Sequence, residues 1–209
     1  MFSGGTVSFA GARFTGAVSF AGARFTGGTV GFIGARFAGG TVRLTRARFV
    51  GGTVSFGKAA FCGAEVSFDK AVFHGGEVRF DHARFSGGTV RFGGAGFDDG
   101  EVGFEYARFA GGAVRFSGAE FYGAAVSFYR ANFSGGMVDF SAARFTGGTV
   151  SLGAARFVGG IVGFSEAAFS GGRVGFGAAE FTGGAVDFSH PADCSSAPAF
   201  LWTAAEPQA

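Results

Sequence analysis

The stretch GTVRLTRARFVGGTVSF, residues 40–56, contains the pattern that decides the fold. It holds two Val-x-apolar triplets, VRL and VSF, with one Ala-x-Phe triplet, ARF, between them. Each triplet places two apolar side chains at positions i and i+2, which lie on the same face of an extended segment. The glycine pair at Gly51 and Gly52 permits a sharp change of direction before the next triplet. The stretch therefore predicts short extended segments joined by tight corners.

The same unit recurs every twelve residues along nearly the whole chain. Val-x-Phe runs from Val7 to Val186, with Leu44 and Leu152 in place of Phe, and Ala-x-Phe begins five residues after each Val up to Phe181. One corner residue is missing near Gly16, where the spacing falls to eleven. The repeat accounts for the unusual content of 31 Phe and 42 Gly among 209 residues. Such regular bias indicates a repeat architecture.

The spacing of the phenylalanines excludes a helix and favours a solenoid. They alternate at five and seven residues, and a glycine pair interrupts nearly every repeat, so that no amphipathic helix can be sustained. A parallel β-solenoid satisfies the pattern, because each coil covers the strand edges of the one before. Twelve residues give a perimeter of only about 40 Å when fully extended, whereas a coil of about 24 residues leaves length for corners. We therefore predict an all-β solenoid with about 24 residues per coil.

The pairs of units resemble the tandem five-residue repeats of the pentapeptide-repeat family. VSFAG and ARFTG, residues 18–27, each have a large apolar centre with a small residue two positions before it. Two extra residues, Gly28 and Thr29, follow each pair of units, and Asp or Asn is scarce before the centre. The resemblance implies a right-handed quadrilateral parallel β-helix in which the large and small residues point inward.

The repeat also predicts the organisation of the chain. Residues 1–189 should form the solenoid, and residues 190–209 a C-terminal cap or tail, because Pro191 and Pro198 predict the end of regular pairing. Phe200, Leu201 and Trp202 form a run of large apolar residues that we expect to cover the last coil. The predicted structural core includes Phe25, Phe37, Phe49, Phe61, Phe73, Phe85, Phe97, Phe109, Val54, Val66 and Val78.

Composition bounds the class of protein. The chain is 47% hydrophobic with a formal net charge of +2, which is atypical of disorder. Its apolar runs are too short to span a bilayer, and the N-terminus lacks the pattern of a secretory signal, so a cytoplasmic location is expected. Cys62 and Cys194 are too few for a disulfide framework. The excess of Arg over Lys, with abundant Ala and Gly, is typical of a GC-rich, bacterial-like genome.

No pattern in the sequence predicts catalysis. The histidines are His74, His82 and His190, and Cys62 and His74 are separated by half a coil, which places them on opposite sides. Metal sites need about four convergent ligands, and nucleophilic catalysis needs a base beside the nucleophile. The repeat pattern predicts neither a set of convergent metal ligands nor a recurring pair of nucleophile and base. We therefore expect no enzyme activity, no metal and no cofactor.

Charge is unevenly distributed along the chain. Residues 1–64 contain seven basic residues and no acid. One interpretation is weak binding of anions or nucleic acid through this first third, with contacts from Arg24, Arg36, Arg43, Arg46 and Arg48. The other is an ordinary solvated surface, which the predicted register favours because it places these arginines on several sides.

The function predicted from these features is a non-catalytic scaffold that binds another macromolecule, most simply a protein. The family resemblance implies an alternative, interaction with a type II topoisomerase (gyrase) by mimicry of DNA. Mimicry requires an acidic rod, whereas this chain has a sequence pI near 8.8 and a short acidic cluster at Asp98, Asp99, Glu101 and Glu105. The chain also begins within a repeat, so an uncapped first coil would favour self-association.

Overall fold

The computed structural model describes residues 2–190 and 199–201, and all regular structure in them is β-strand. In chain order the strands are β1 (Phe2–Ser3), β2 (Thr6–Ser8), β3 (Arg13–Phe14), β4 (Val18–Ser19), β5 (Arg24–Thr26), β6 (Thr29–Gly31), β7 (Arg36–Phe37), β8 (Thr41–Arg43), β9 (Arg48–Val50), β10 (Thr53–Ser55), β11 (Ala60–Ser67), β12 (Val72–His74), β13 (Glu77–Arg79), β14 (Arg84–Arg91), β15 (Gly96–Asp98), β16 (Glu101–Gly103), β17 (Arg108–Arg115), β18 (Glu120–Tyr122), β19 (Ala125–Ser127), β20 (Asn132–Asp139), β21 (Arg144–Thr146), β22 (Thr149–Ser151), β23 (Arg156–Gly163), β24 (Ala168–Ser170), β25 (Arg173–Gly175), β26 (Glu180–Phe181), β27 (Ala185–Asp187) and β28 (Ala199–Leu201).

These strands stack into four faces of a rod. Face 1 is the sheet β1-β5-β9-β12-β15-β18-β21-β24, and face 2 is the sheet β2-β6-β10-β13-β16-β19-β22-β25-β28. The long strands β11, β14, β17, β20 and β23 bend around a corner, and their first halves form face 3 with β3, β7 and β26. Their second halves form face 4 with β4, β8 and β27. The chain passes the faces in numerical order, so faces 1 and 3 lie opposite each other.

The strand register confirms the predicted length of one coil. Phe61 pairs with Phe85 and Val54 with Val78, and the paired strands are parallel. Where the corner residue is missing, the offset is one position shorter, as in Phe14 with Phe37. The fold is therefore a parallel β-solenoid in which each coil contains two of the sequence repeats.

Two kinds of corner alternate around each coil. Between faces 2 and 3 and between faces 4 and 1 stands a β-turn, in which an Ala N–H donates to the Phe carbonyl three residues earlier, as from Ala59 to Phe56 at 3.0 Å. The third residue of this turn has a positive φ, which is 58° at Lys58. The other two corners are mostly glycine pairs such as Gly75 and Gly76, with φ of 62° and 81°. Turn N–H groups also donate to the next coil, so the corners join the layers as well.

The inward side chains fill the rod completely. Within one coil the buried residues are Val54, Phe56, Ala59, Phe61, Ala64, Val66, Ser67, Phe68, Ala71 and Phe73. All of the residues predicted above for the structural core are buried. Equivalent rings stack from coil to coil, and Phe61 and Phe85 have centroids 4.8 Å apart and an interplanar angle of 3°. Packing thus accounts for both apolar positions of the units between the two ends of the rod.

The C-terminal segment returns to the solenoid. Strand β28 pairs in parallel with β25, with Arg173 opposite Ala199 and Gly175 opposite Leu201. The expectation that regular pairing ends at Pro191 and Pro198 is wrong for the three residues of β28. They pair on face 2 with residues 26 positions earlier, whereas the paired strands β22 and β25 of the preceding coils are 24 positions apart. The predicted cap rests partly on Trp202, which lies outside the described residues.

Candidate binding groove

A concave basic surface lies at the junction of faces 2 and 3. This groove has a volume of about 430 Å³. We call this surface the basic groove. Its lining residues are His82, Arg84, Tyr106, Arg108, Arg130, Asn132 and Arg156. They come from successive coils, so that the groove runs along the rod axis.

Face 3 supplies one wall of the basic groove through its strand register. Arg84 pairs with Arg108, Arg108 with Asn132, and Asn132 with Arg156. Each residue directly precedes a buried Phe, and alternation along a strand therefore turns its side chain outward. The Arg-Phe sequence that builds the core thus also lines up cations one layer, or about 4.8 Å, apart.

The β-turns supply the other wall. His82, Tyr106 and Arg130 occupy the left-handed position of the turn between faces 2 and 3 in three successive coils, with φ of 58°, 56° and 55°. The His82 and Tyr106 rings stack with centroids 4.9 Å apart. Arg130 Nη1 donates to the Tyr106 hydroxyl at 3.3 Å, and the guanidinium carbon lies 5.3 Å from the centre of the Tyr129 ring. These contacts order the wall along the axis.

The groove carries uncompensated positive charge. Across the described residues, none of Arg84, Arg108 and Arg130 has a carboxylate within 4.0 Å. Arg130 lies instead against two tyrosines. The hydrogen bond from Arg130 to Tyr106 raises the pKa of Arg130, a group that is protonated in proteins in any case. Arg156 alone has an acidic partner, with its Nε 2.9 Å from Glu180 Oε2. Such an array attracts anions.

A second concavity adjoins the basic groove on face 3. Its volume is about 360 Å³, and Arg84 and Arg108 line it too. Arg36 and Cys62 belong to its lining. Face 3 therefore presents basic side chains over more of its length than the groove alone.

The predicted anion contacts are spread over the rod. Arg24 and Arg48 pair in register on face 1. Arg43 lies on face 4, and Arg46 is the left-handed residue of a turn between faces 4 and 1. Arg36 alone stands on face 3. The structure thus brings Arg24 and Arg48 together and places Arg36 near the groove.

Sequence analysis missed the residues of the groove itself. It counted charged residues along the chain, whereas in a solenoid the residues that lie side by side on one face are one coil apart in sequence. The signal was present, since Arg84, Arg108 and Arg156 precede Phe at multiples of the coil length. Grouping outward residues at intervals of one coil would have shown that these three arginines lie in one column of face 3.

Residues considered for catalysis or mimicry do not converge into one site. Cys62 lies on face 3 and His74 on the opposite face 1, where its Nδ1 is 2.6 Å from Asp98 Oδ2. Glu101 belongs to face 2, and Glu105 accepts a hydrogen bond from Ser127 at 3.2 Å. Over residues 2–190 and 199–201, no three His, Cys, Asp or Glu side chains are grouped to hold a metal ion.

The fold and its repeat define a β-solenoid repeat protein. A family model described as Pentapeptide repeats (9 copies) matches residues 2–53. The resemblance to the pentapeptide-repeat family is thereby confirmed, and the strand register continues the same repeat beyond the matched segment.

Comparison with solved structures gives several significant matches. One is to a trypsin-treated variant of QnrB1, a plasmid-mediated fluoroquinolone resistance protein, at 18% identity and a TM-score of 0.28. It covers 86% of this chain and 88% of the other. No curated protein matches the chain significantly. The described part of the chain has no helix long and apolar enough to cross a membrane.

Proposed function

We propose that this chain is a non-catalytic scaffold that binds an anionic macromolecule along face 3. The observation that carries the proposal is the basic groove, where four arginines and two aromatic residues line a concave surface of about 430 Å³. Outward side chains are the available recognition elements, because the inward ones fill the core.

The electrostatics support binding more than catalysis. Arg84, Arg108 and Arg130 have no carboxylate partner within the described part of the chain, and each is exposed. Arg79, Arg91 and Arg144 contact acidic side chains at 2.7 to 3.4 Å, whereas Arg24 and Arg48 on face 1 have no carboxylate partner within the described residues either. An unpaired, ordered array of arginines retains its donors for a ligand. The same charge argues against DNA mimicry on this face.

Affinity capture with matched variants tests the proposal. Immobilised wild type is compared with Arg84→Ala/Arg108→Ala/Arg130→Ala and with Arg24→Ala/Arg48→Ala/Arg144→Ala, which removes the same charge from face 1. A macromolecule from extract of the native cell should be retained by wild type and the face 1 variant and lost from the groove variant. Equal retention by all three proteins would contradict binding at the groove.

A further inference from the structure

We propose that the ligand of the basic groove is a nucleic-acid strand, contacted through its phosphates and lying along the rod axis. This inference rests on the proposed function and adds the chemical class of the partner. It is carried by three observations: the arrangement of the cations along the axis, the kinds of donor and the occupied ring faces of Tyr106.

The groove contains one arginine in each of four successive coils, three in the strand column of face 3 and one on the turn wall beside it. Arg84, Arg108 and Arg156 share the strand column of face 3, and Arg130 fills the layer where that column has Asn132. The four layers span about 14 Å at 4.8 Å per layer. An array of cations of this length complements a linear polyanion better than it does a single compact anion.

The donors of the groove suit phosphate. Arginine offers a planar fork of donors that matches phosphate or carboxylate oxygens. Asn132, the Tyr106 hydroxyl and the His82 ring add further groups that can donate beside these forks. Nucleic-acid phosphates are commonly held by this mixture of Arg, Asn and Tyr groups. The surplus of donors over the two oxygens of a carboxylate favours phosphate over an acidic peptide.

The Tyr106 ring of the groove is not available as a stacking platform. Tyr106 is stacked on His82, and the guanidinium of Arg130 lies over its ring at 5.8 Å from the centroid. Base stacking on aromatic side chains needs an open ring face. We therefore infer recognition of the backbone, with little preference for base sequence.

The variants for the test have precedents in the chain. Ala60 and Ala168 occupy strand positions equivalent to those of the arginines on faces 3 and 1, and Ala154 follows Arg130 in the column of left-handed turn residues. Alanine is thus already accommodated at each kind of site. The groove and face 1 variants named above should both fold, and circular dichroism checks this.

Fluorescence anisotropy with a labelled oligonucleotide of mixed sequence, as a single strand and as a duplex, measures binding at about 50 mM salt. We expect wild type to bind at least one form, the groove variant to bind at least about tenfold more weakly, and the face 1 variant to stay within about threefold. The form bound more tightly identifies the source of the phosphates. Raising the salt should weaken wild type more steeply than the groove variant, since fewer counterions are released by the variant.

Three outcomes would overturn the inference: no binding by wild type, equal weakening in both variants, or competition by poly-glutamate as effective as that by unlabelled oligonucleotide. The last outcome would assign the groove to carboxylates. If the oligonucleotide fails while capture from extract still depends on the groove, the nucleic-acid inference fails and the scaffold function remains.

Discussion

At the scale of single residues, the left-handed turn position is conformationally strained and also places a side chain on the surface of the rod. Glycine occupies it at Gly34 and Gly118, whereas Lys58, Tyr106 and Ala142 adopt φ of 58°, 56° and 55°. A side chain in this conformation costs roughly 1–2 kcal/mol because Cβ approaches the carbonyl oxygen. At His82, Tyr106 and Arg130 the side chain at that position forms the groove wall. At the alanines the conformation brings no such contact.

Replacing Ala142 by glycine should therefore stabilise the protein. Relief of the left-handed strain exceeds the greater backbone entropy of glycine in the unfolded chain, for a gain of about 0.5–1 kcal/mol. The control is Ala113→Gly in strand β17, where φ is not positive and a loss of similar size is expected. Chemical denaturation measures both, and a loss at both sites would contradict this account of the turn.

Asp139 on face 4 links stability to pH. Burial raises its pKa, but hydrogen bonds from Ser141 and Ser117 outweigh burial, and the pKa lies below its ordinary value of 3.8. Ser141 donates through both its N–H and its hydroxyl, and Ser117 Oγ donates at 2.7 Å. Because the folded state favours the charged form, this stabilisation is present above pH 3.8 and is lost as pH falls through the lowered pKa.

Asp139→Asn should consequently lower the melting temperature at neutral pH, and the difference from wild type should shrink as pH falls below 3.8. Ser117→Ala removes one of the donors and should give a smaller effect of the same sign. Thermal denaturation followed from neutral pH down to about pH 2.5 compares both variants with wild type. A difference that stays constant over this range would show that the carboxylate bonds do not stabilise the fold.

At the scale of elements, the glycine corners set how closely the coils approach. At Gly76, φ is 81°, and an added Cβ would collide with the carbonyl oxygen of Gly52 in the coil before it. At Gly118, in a turn, φ is 65° and an added Cβ meets nothing within 4 Å. Ala124 occupies the position equivalent to Gly76 in a later coil, and its φ is not positive. The backbone conformation of that corner therefore differs from the one at Gly76.

Gly76→Ala should therefore cost more than Gly118→Ala. Both introduce left-handed strain of roughly 1–2 kcal/mol, and only Gly76→Ala adds a clash between layers, for a total of about 2–4 kcal/mol. Denaturation midpoints of the two variants isolate the contribution of layer spacing. Equal costs would mean that the corner at Gly76 relaxes to the backbone seen at Ala124.

The Phe stacks are the second element that joins the coils. Phe109 is 1% exposed, and its ring lies 4.8 Å from those of Phe85 and Phe133. Phe109→Ala should cost roughly 3–5 kcal/mol, because the neighbouring rings are held by their own layers and cannot close the cavity. Arg144→Ala, which removes an exposed ion pair with Glu120, should cost at most about 1 kcal/mol. Comparable losses in urea denaturation would contradict the division into inward and outward positions.

At the scale of the whole molecule, the repeat explains what sequence could predict. Apolar spacing predicts the strand class and the slip near Gly16, since each depends on a local pattern repeated many times. The length of the coil follows from that spacing together with the perimeter that extended strands and corners require. The groove depends on which outward residues share a face, and a tally along the chain cannot show that. The non-glycine left-handed turns were also missed, because a solenoid can hold Lys58 or Tyr106 in a conformation that local propensity disfavours.

The C-terminal segment affects the stability of the whole rod through β28. Removing residues 191–209 deletes β28 and exposes the edge of β25, so we expect a lower melting temperature and more aggregation. Removing residues 202–209 keeps β28 and serves as the control. If both truncations behave like the full chain, the segment does not cap the solenoid.

The central claim is that ligand binding is confined to face 3, and protection of arginines from chemical modification tests it most directly. The protein is treated with phenylglyoxal with and without the bound oligonucleotide, and mass spectrometry locates the modified arginines. We expect protection of Arg84, Arg108 and Arg156 and none of Arg24 or Arg48, which pair on the opposite face. Protection spread evenly over both faces, or confined to Arg24 and Arg48, would contradict the claim.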